Sequence, residues 1–113
     1  MTFEIHDSSS AGYVRLSLTG ELDLASASIL EDRLTRLRAK RSPVRLDLSQ
    51  LEFIDSSGIR LLVQTIGEAR AKRWPVEIDP EVGPGVRRVF SLARLDHLAG
   101  WSSSDTRRRS ETE

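Results

Sequence analysis

The run Val44-Arg45-Leu46-Asp47-Leu48 alternates apolar and charged residues without a break, and no other feature of the chain constrains its fold as tightly. Successive side chains on a β-strand point to opposite faces, so this segment is a strand with one dry face and one wet face. A parallel strand covered by helices on both sides would be apolar throughout. The sheet that holds this segment is therefore expected to carry its helices mainly on one face.

The rest of the chain arranges itself around that strand. Phe3 and Ile5 alternate with polar neighbours, residues 7–12 are turn-rich, and Val14, Leu16 and Leu18 alternate with Arg15, Ser17 and Thr19. Two alternating runs around a short turn read as an antiparallel hairpin. From about residue 24 to 40 the period changes to that of a helix, with Ala27, Leu30, Leu34 and Leu37 on one face, Asp23 or Ser26 able to cap its start, and Pro43 ending it. A second helix carries Ile59, Leu62, Val63 and Ile66 and runs to about Lys72. Residues 74–80 form a short fourth strand, residues 80–85 a loop with two prolines and two glycines, and Val86, Val89, Phe90 and Ala93 a third amphipathic helix. Residues 95–101 are a short apolar return. The expected order is β-β-α-β-α-β-α, with helical crossovers between parallel strands after the hairpin. This is an α/β domain over residues 1–101 with a mixed sheet of four or five strands, followed by a disordered polar tail over 102–113.

Composition narrows the chemistry. The chain has 113 residues, one domain's worth, and no cysteine, which excludes disulfides, thiolate zinc sites and a cysteine nucleophile. Lys plus Arg and Asp plus Glu are both 17, so no basic field is available for direct nucleic-acid or membrane binding. The N-terminus lacks the pattern of a signal peptide and no apolar run approaches the ~20 residues that span a bilayer, in keeping with a cytoplasmic protein without membrane insertion. The two histidines, His6 and His97, lie at opposite ends of the chain and read as surface or half-buried residues. No glycine-rich nucleotide cradle and no acid/base pair stands out. The Arg107-Arg108-Arg109 run is flanked by acidic residues and reads as solvated tail. Ser8-Ser9-Ser10 reads as a turn, Ser102-Ser103-Ser104 as a linker, and Trp74 and Trp101 as core rim. No cofactor, metal or catalytic group is expected, and the chain reads as a binding module, not an enzyme.

Asp55-Ser56-Ser57-Gly58 stands apart. It is a good helix cap, and it follows a buried strand where the first helical N–H groups point outward and favour an anion. A serine here has no histidine beside it to act as a base. It suits the role of an acceptor, with the base and the phosphoryl donor supplied by a partner.

The segment from Leu46 through Asp55-Ser56-Ser57-Gly58-Ile59-Arg60 to Leu62 resembles the signature of STAS domains, in particular bacterial anti-sigma factor antagonists. Leu18-Thr19-Gly20-Glu21-Leu22-Asp23 resembles that family's turn after the second strand, and Val86-Arg87-Arg88-Val89-Phe90-Ser91-Leu92-Ala93-Arg94-Leu95 its third helix. The resemblance implies an antagonist that binds an anti-sigma factor with ATP-dependent serine kinase activity and so frees a sigma factor for transcription. It implies phosphorylation at Ser56, which breaks the complex, and a phosphoserine phosphatase that resets it. The partner-binding residues it implies are Asp23, Asp55, Ser56, Ser57 and Gly58, with Ser57 and Gly58 completing the helix-end surface, and Arg60 joins them as a candidate from its place in the first turn of the helix. Arg60 and Arg94 stand where many members have glycine, and Gly83 replaces a common capping serine. Arg60 is placed to contact a phosphoserine, to change partner choice, or simply to be solvated. A second reading is a STAS subunit of a lipid-trafficking ABC transporter that is not phosphorylated. A third is a small enzyme or nucleotide-binding protein, for which the chain lacks a catalytic constellation.

Overall fold

The computed structural model describes residues 3–95. The return through Trp101, His97 and the tail lie outside them. A hairpin of β1 (Glu4–Ser10) and β2 (Tyr13–Leu22) is followed by α1 (Leu24–Ala39), β3 (Val44–Leu48), β4 (Leu51–Ile54), α2 (Ser56–Lys72), β5 (Val76–Val82) and α3 (Pro84–Leu92). The strands form a mixed sheet in the order β1-β2-β3-β5, with β4 also paired to β2.

The hairpin is longer than its sequence indicates. β1 pairs antiparallel with β2 from Glu4↔Thr19 to Ser10↔Tyr13, so Ser8, Ser9 and Ser10 are strand residues and not a turn. The turn is confined to Ala11 (φ 52°) and Gly12 (φ 85°). Both sit in the left-handed region that a two-residue turn matching the strand twist requires. β1 is exposed at every position except Ile5, and the backbone ladder makes its bonds whatever the side chain.

β2 is the organising strand. Its first half pairs parallel with β3 (Val14↔Val44 to Ser17↔Asp47), and its last residues pair parallel with β4 (Gly20↔Leu51, Glu21↔Phe53, Leu22↔Ile54). A register shift at Gly20, itself at φ 89°, separates the two stretches. β4 settles the strand count at five. β5 pairs with β3 and extends through Pro80 to Val82, where a loop was expected. Proline is tolerated there because β5 is an edge strand, and a register irregularity between Leu46 and Leu48 absorbs the break in pairing.

Leu16, Leu18, Leu46, Leu48 and Ile78 are fully buried on the apolar side of the sheet. Leu30 and Leu34 of α1, and Leu62, Ile66 and Ala69 of α2, are buried against the same core. Burying each of these leucine and isoleucine side chains is worth about 1.5–3 kcal/mol. Trp74 is 2% exposed, deep in the core and not at its rim, and its indole N–H donates to the Ser42 carbonyl at 2.7 Å. No helix among the described residues is long and apolar enough to cross a membrane.

The wet side of the sheet carries a polar strip across β2, β3 and β5. Asp79 accepts from Arg15 and, at 2.8 Å, from Arg45, and both guanidinium groups lie over the Tyr13 ring, 5.9 and 5.5 Å from its centroid. Asp47 accepts from Ser17 Oγ at 3.2 Å and from the Ser49 backbone and hydroxyl at 3.0 and 2.7 Å. Burial pushes the Asp47 carboxyl up, but the hydrogen bonds from Ser49 and Ser17, with the charge of Arg15, outweigh it and hold the group below the usual carboxylate range.

Of the two departures from the resemblance at α3, that at Gly83 has a structural reason and that at Arg94 has none. Gly83 is the N-cap of α3 without a side-chain cap, and a Cβ there would lie 2.7 Å from the Leu51 carbonyl oxygen. Pro84 at the first helical position stiffens the same start. Arg94 takes φ 60° just after α3, the left-handed conformation glycine adopts without cost. Asp79→Ala is expected to destabilise the fold by about 1–3 kcal/mol, because it leaves two arginines on a partly covered face without their carboxylate. A lowered urea midpoint with an unchanged slope would show it. An unshifted midpoint would mean the strip adds nothing to stability.

Candidate functional site

Two helix starts meet at one edge of the sheet. β2 and β4 run parallel and end in register at Leu22 and Ile54. Each is followed by an aspartate and then a helix, so Asp23 and Asp55 stand side by side. The Asp55 N–H donates to the Leu22 carbonyl at 3.1 Å and ties the two ends together.

Asp23 caps α1. Its Oδ1 accepts from the Ser26 N–H at 3.1 Å, while Ser26 Oγ accepts from the Asp23 N–H at 2.8 Å, a reciprocal capping box. Both residues considered as caps therefore take part. Ser26 is 4% exposed, and its hydroxyl also donates to the Glu21 carbonyl at 2.7 Å. The Ser26 N–H, and then the Ser26 hydroxyl, hold the Asp23 carboxyl below its ordinary range.

Asp55 caps α2. Its Oδ1 accepts from the Ser57 N–H at 2.8 Å and the Gly58 N–H at 3.1 Å, and its carbonyl accepts from the Ile59 N–H at 2.9 Å. The first-turn amides, expected to be open to an anion, are thus largely engaged by the protein itself. Ser56 is exposed, Ser57 half-buried and Gly58 buried. Gly58 does not complete the surface. A Cβ on it would lie 2.7 Å from Ile54 Cγ1 and 2.8 Å from both Leu22 Cγ and the Leu22 oxygen. Glycine here lets the first turn of α2 close on the paired strand ends.

Arg60 is exposed, one turn beyond Ser56. It lines a groove of about 200 Å3 between α1 and α2, with Leu24, Ser28, Glu31, Ser57 and Gln64 among its neighbours. Leu24 and Phe53 are large apolar side chains left 75% and 47% exposed around the two helix starts. Sequence reasoning passed over both. Leu24 had a signal, an apolar residue directly after a cap, where a helix has not yet turned its face to the core.

His6, the described histidine, is on β1 with Glu4 as its partner at 3.1 Å. Among the described residues no group of three or more His, Asp or Glu could hold a metal ion. The arrangement offers an exposed hydroxyl between two capped helix ends, ringed by apolar and charged surface.

A family model described as "Mlab, STAS domain" matches residues 5–100. The anti-sigma-B factor antagonist of Bacillus subtilis (strain 168) is 21% identical over 85 residues, covering 75% of this chain and 77% of that one. The crystal structure of an anti-sigma factor antagonist from Mycobacterium paratuberculosis gives a TM-score of 0.75 at 28% identity, over 88% of this chain and 84% of its own. The Bacillus cell fate determinant SpoIIAA in its phosphorylated form shares the fold at TM-score 0.65 and 20% identity, over 93% of this chain and 98% of that one.

Two outcomes follow from the caps. The lowered Asp23 carboxyl contributes stability that is present above the ordinary carboxylate pKa and is lost as pH falls through its depressed folded value. Urea midpoints between neutral and acid pH should therefore fall less steeply in Asp23→Asn, which keeps an acceptor oxygen but cannot be protonated there. Gly58→Ala is expected to cost about 1–3 kcal/mol by overpacking. A thermal melt equal to that of the wild type would show that the strand ends yield.

Proposed function

Because this chain belongs to the STAS domain family, we propose that it is an anti-sigma factor antagonist switched off by phosphorylation of Ser56. The observation that carries this reading is the exposure of Ser56 at the junction of the two capped helix starts. The 28%-identical antagonist of the same fold supports the general function. In this reading the unmodified protein docks on an anti-sigma factor with ATP-dependent serine kinase activity through Asp23, Asp55, Ser56, Ser57 and Arg60. Gly58 contributes by fixing the helix start. Docking frees the sigma factor in the cytoplasm, and transcription follows. A phosphoserine phosphatase restores the active form.

The physical basis of the switch is local. Phosphorylation adds about −1.5 to −2 charge at neutral pH. Asp23 and Asp55 already make this edge acidic, and burying a phosphate against a partner there is costly unless the partner supplies cations. Ser56 is outside the core, so the fold stays as it is and the binding face changes.

A second reading of a STAS domain is the subunit of a lipid-trafficking ABC transporter, which is not phosphorylated. Incubation with a candidate anti-sigma kinase and ATP separates the two. The antagonist reading expects one phosphate on Ser56 by mass spectrometry, a Ser56→Ala variant that still binds but is not modified, and unchanged circular dichroism after phosphorylation. Stable binding of the intact phosphoserine form to the same partner would overturn it.

A further inference from the structure

We infer that Arg60 is the internal counter-charge of phosphorylated Ser56, so that phosphorylation both adds a charge to the docking face and withdraws a cation from it. The inference rests on the reading of Ser56 as the acceptor.

A phosphate on Ser56 enters a site whose usual anion donors are taken. The N–H groups of Ser57 and Gly58 are held by the Asp55 carboxylate, and that of Ile59 by the Asp55 carbonyl. The Asp55 carboxylate is itself a like charge beside the new group, and Asp23 stands across the paired strand ends. With these three first-turn N–H groups engaged, the helix end has little left to offer the phosphate.

Arg60 has donors to offer. In the first two turns of α1 and α2 it is the one cationic residue. It lies four residues after Ser56, on the same helix face, with Cβ atoms about 5–6 Å apart. Helical side chains lean toward the N-terminus, so a rotamer turned toward Ser56 is open to Arg60, which otherwise lines the α1–α2 groove with Glu31 and Gln64. Among the described residues no ion pair involves Arg60, whereas Arg33, Arg36, Arg38 and Arg45 each face a carboxylate at 2.6–3.0 Å. A guanidinium binds phosphate oxygens through two parallel N–H donors, a stronger contact than one with a neutral acceptor.

The consequence for docking comes from where Arg60 sits when Ser56 is unmodified. It then edges the α1–α2 groove beside the exposed Leu24 and the half-buried Ser57, where a partner's carboxylate can reach it. Pairing with the phosphate removes it from that edge. The glycine found at this place in many STAS domains has no such arm.

The test needs no partner protein. Phosphoserine is incorporated at position 56 of the full chain during translation, in wild type and in Arg60→Gln and Arg60→Lys. The second ionisation of the phosphate is then followed by phosphorus NMR at low salt. With an ordinary midpoint near pH ~6, the expected result is a wild-type midpoint lower than that of Arg60→Gln by roughly half a unit, about a threefold change in ionisation constant. Arg60→Lys should fall between them. Arg60 is exposed, so the variants are expected to melt with the wild type, and high salt should shrink the difference. Equal midpoints in wild type and Arg60→Gln would overturn the inference. Because the phosphate is installed without a kinase, a failure of the kinase to modify Ser56 would sink the antagonist reading and leave this pairing standing.

Discussion

The hydrogen bond from the Asp55 N–H to the Leu22 carbonyl, 3.1 Å long, closes the parallel pairing of two strand ends, and the site depends on it. It places two aspartates beside each other although 32 positions separate Asp23 from Asp55. Both helices then leave the same edge of the sheet with their starts together. The tolerance of this joint is small. Leu22 and Ile54 fill the space above the pairing, and Gly58 is the one first-turn residue that can sit against them without a Cβ in the way. The exposure of Ser56 follows from this geometry. It is two positions before the buried glycine, on the outward side of the first turn.

The sheet separates two kinds of stabilisation. Its dry face is held by non-directional burial of leucine, isoleucine and valine against the helices. Its wet face is held by directional contacts, with Asp79 between two arginines and Asp47 among two serines. The second set fixes which strands are neighbours, because Arg15, Arg45 and Asp79 meet only when β2, β3 and β5 lie side by side. The alternation in Val44–Leu48 belongs to both faces at once.

Much of this was legible in the chain. The alternation at residues 44–48 pointed to one wet face, the heptad-like spacing of Leu30, Leu34 and Leu37 to α1, and Asp55 to the cap of α2. What was not legible depends on partners distant in sequence. β4 has only four residues with burial at its two ends, so it shows no alternation. The serines of β1 have weak strand preference, and pairing with β2 overrides it. Pro80 looked like a loop residue because a proline is costly in a strand unless that strand lies at an edge, and edge position is a property of the whole sheet. In the candidate site, the capping of α2 by Asp55 was readable from the motif. The engagement of the neighbouring amides by Asp55 and the exposure of Leu24 were not, since both depend on side-chain direction.

Pro80 has a consequence for how copies of this chain meet. β5 is one of the two outer strands of the sheet, and an outer strand offers a row of unpaired backbone groups to any similar strand nearby. A proline at this position has no N–H to offer, and exposed Glu77 and Glu81 on either side place like charges opposite one another in any symmetric approach. The edge is thereby poorly suited to extending the sheet from one molecule into the next. Such self-avoidance keeps the β5 side of the sheet from drawing one molecule onto another, so the helix starts at its end stay open to solvent.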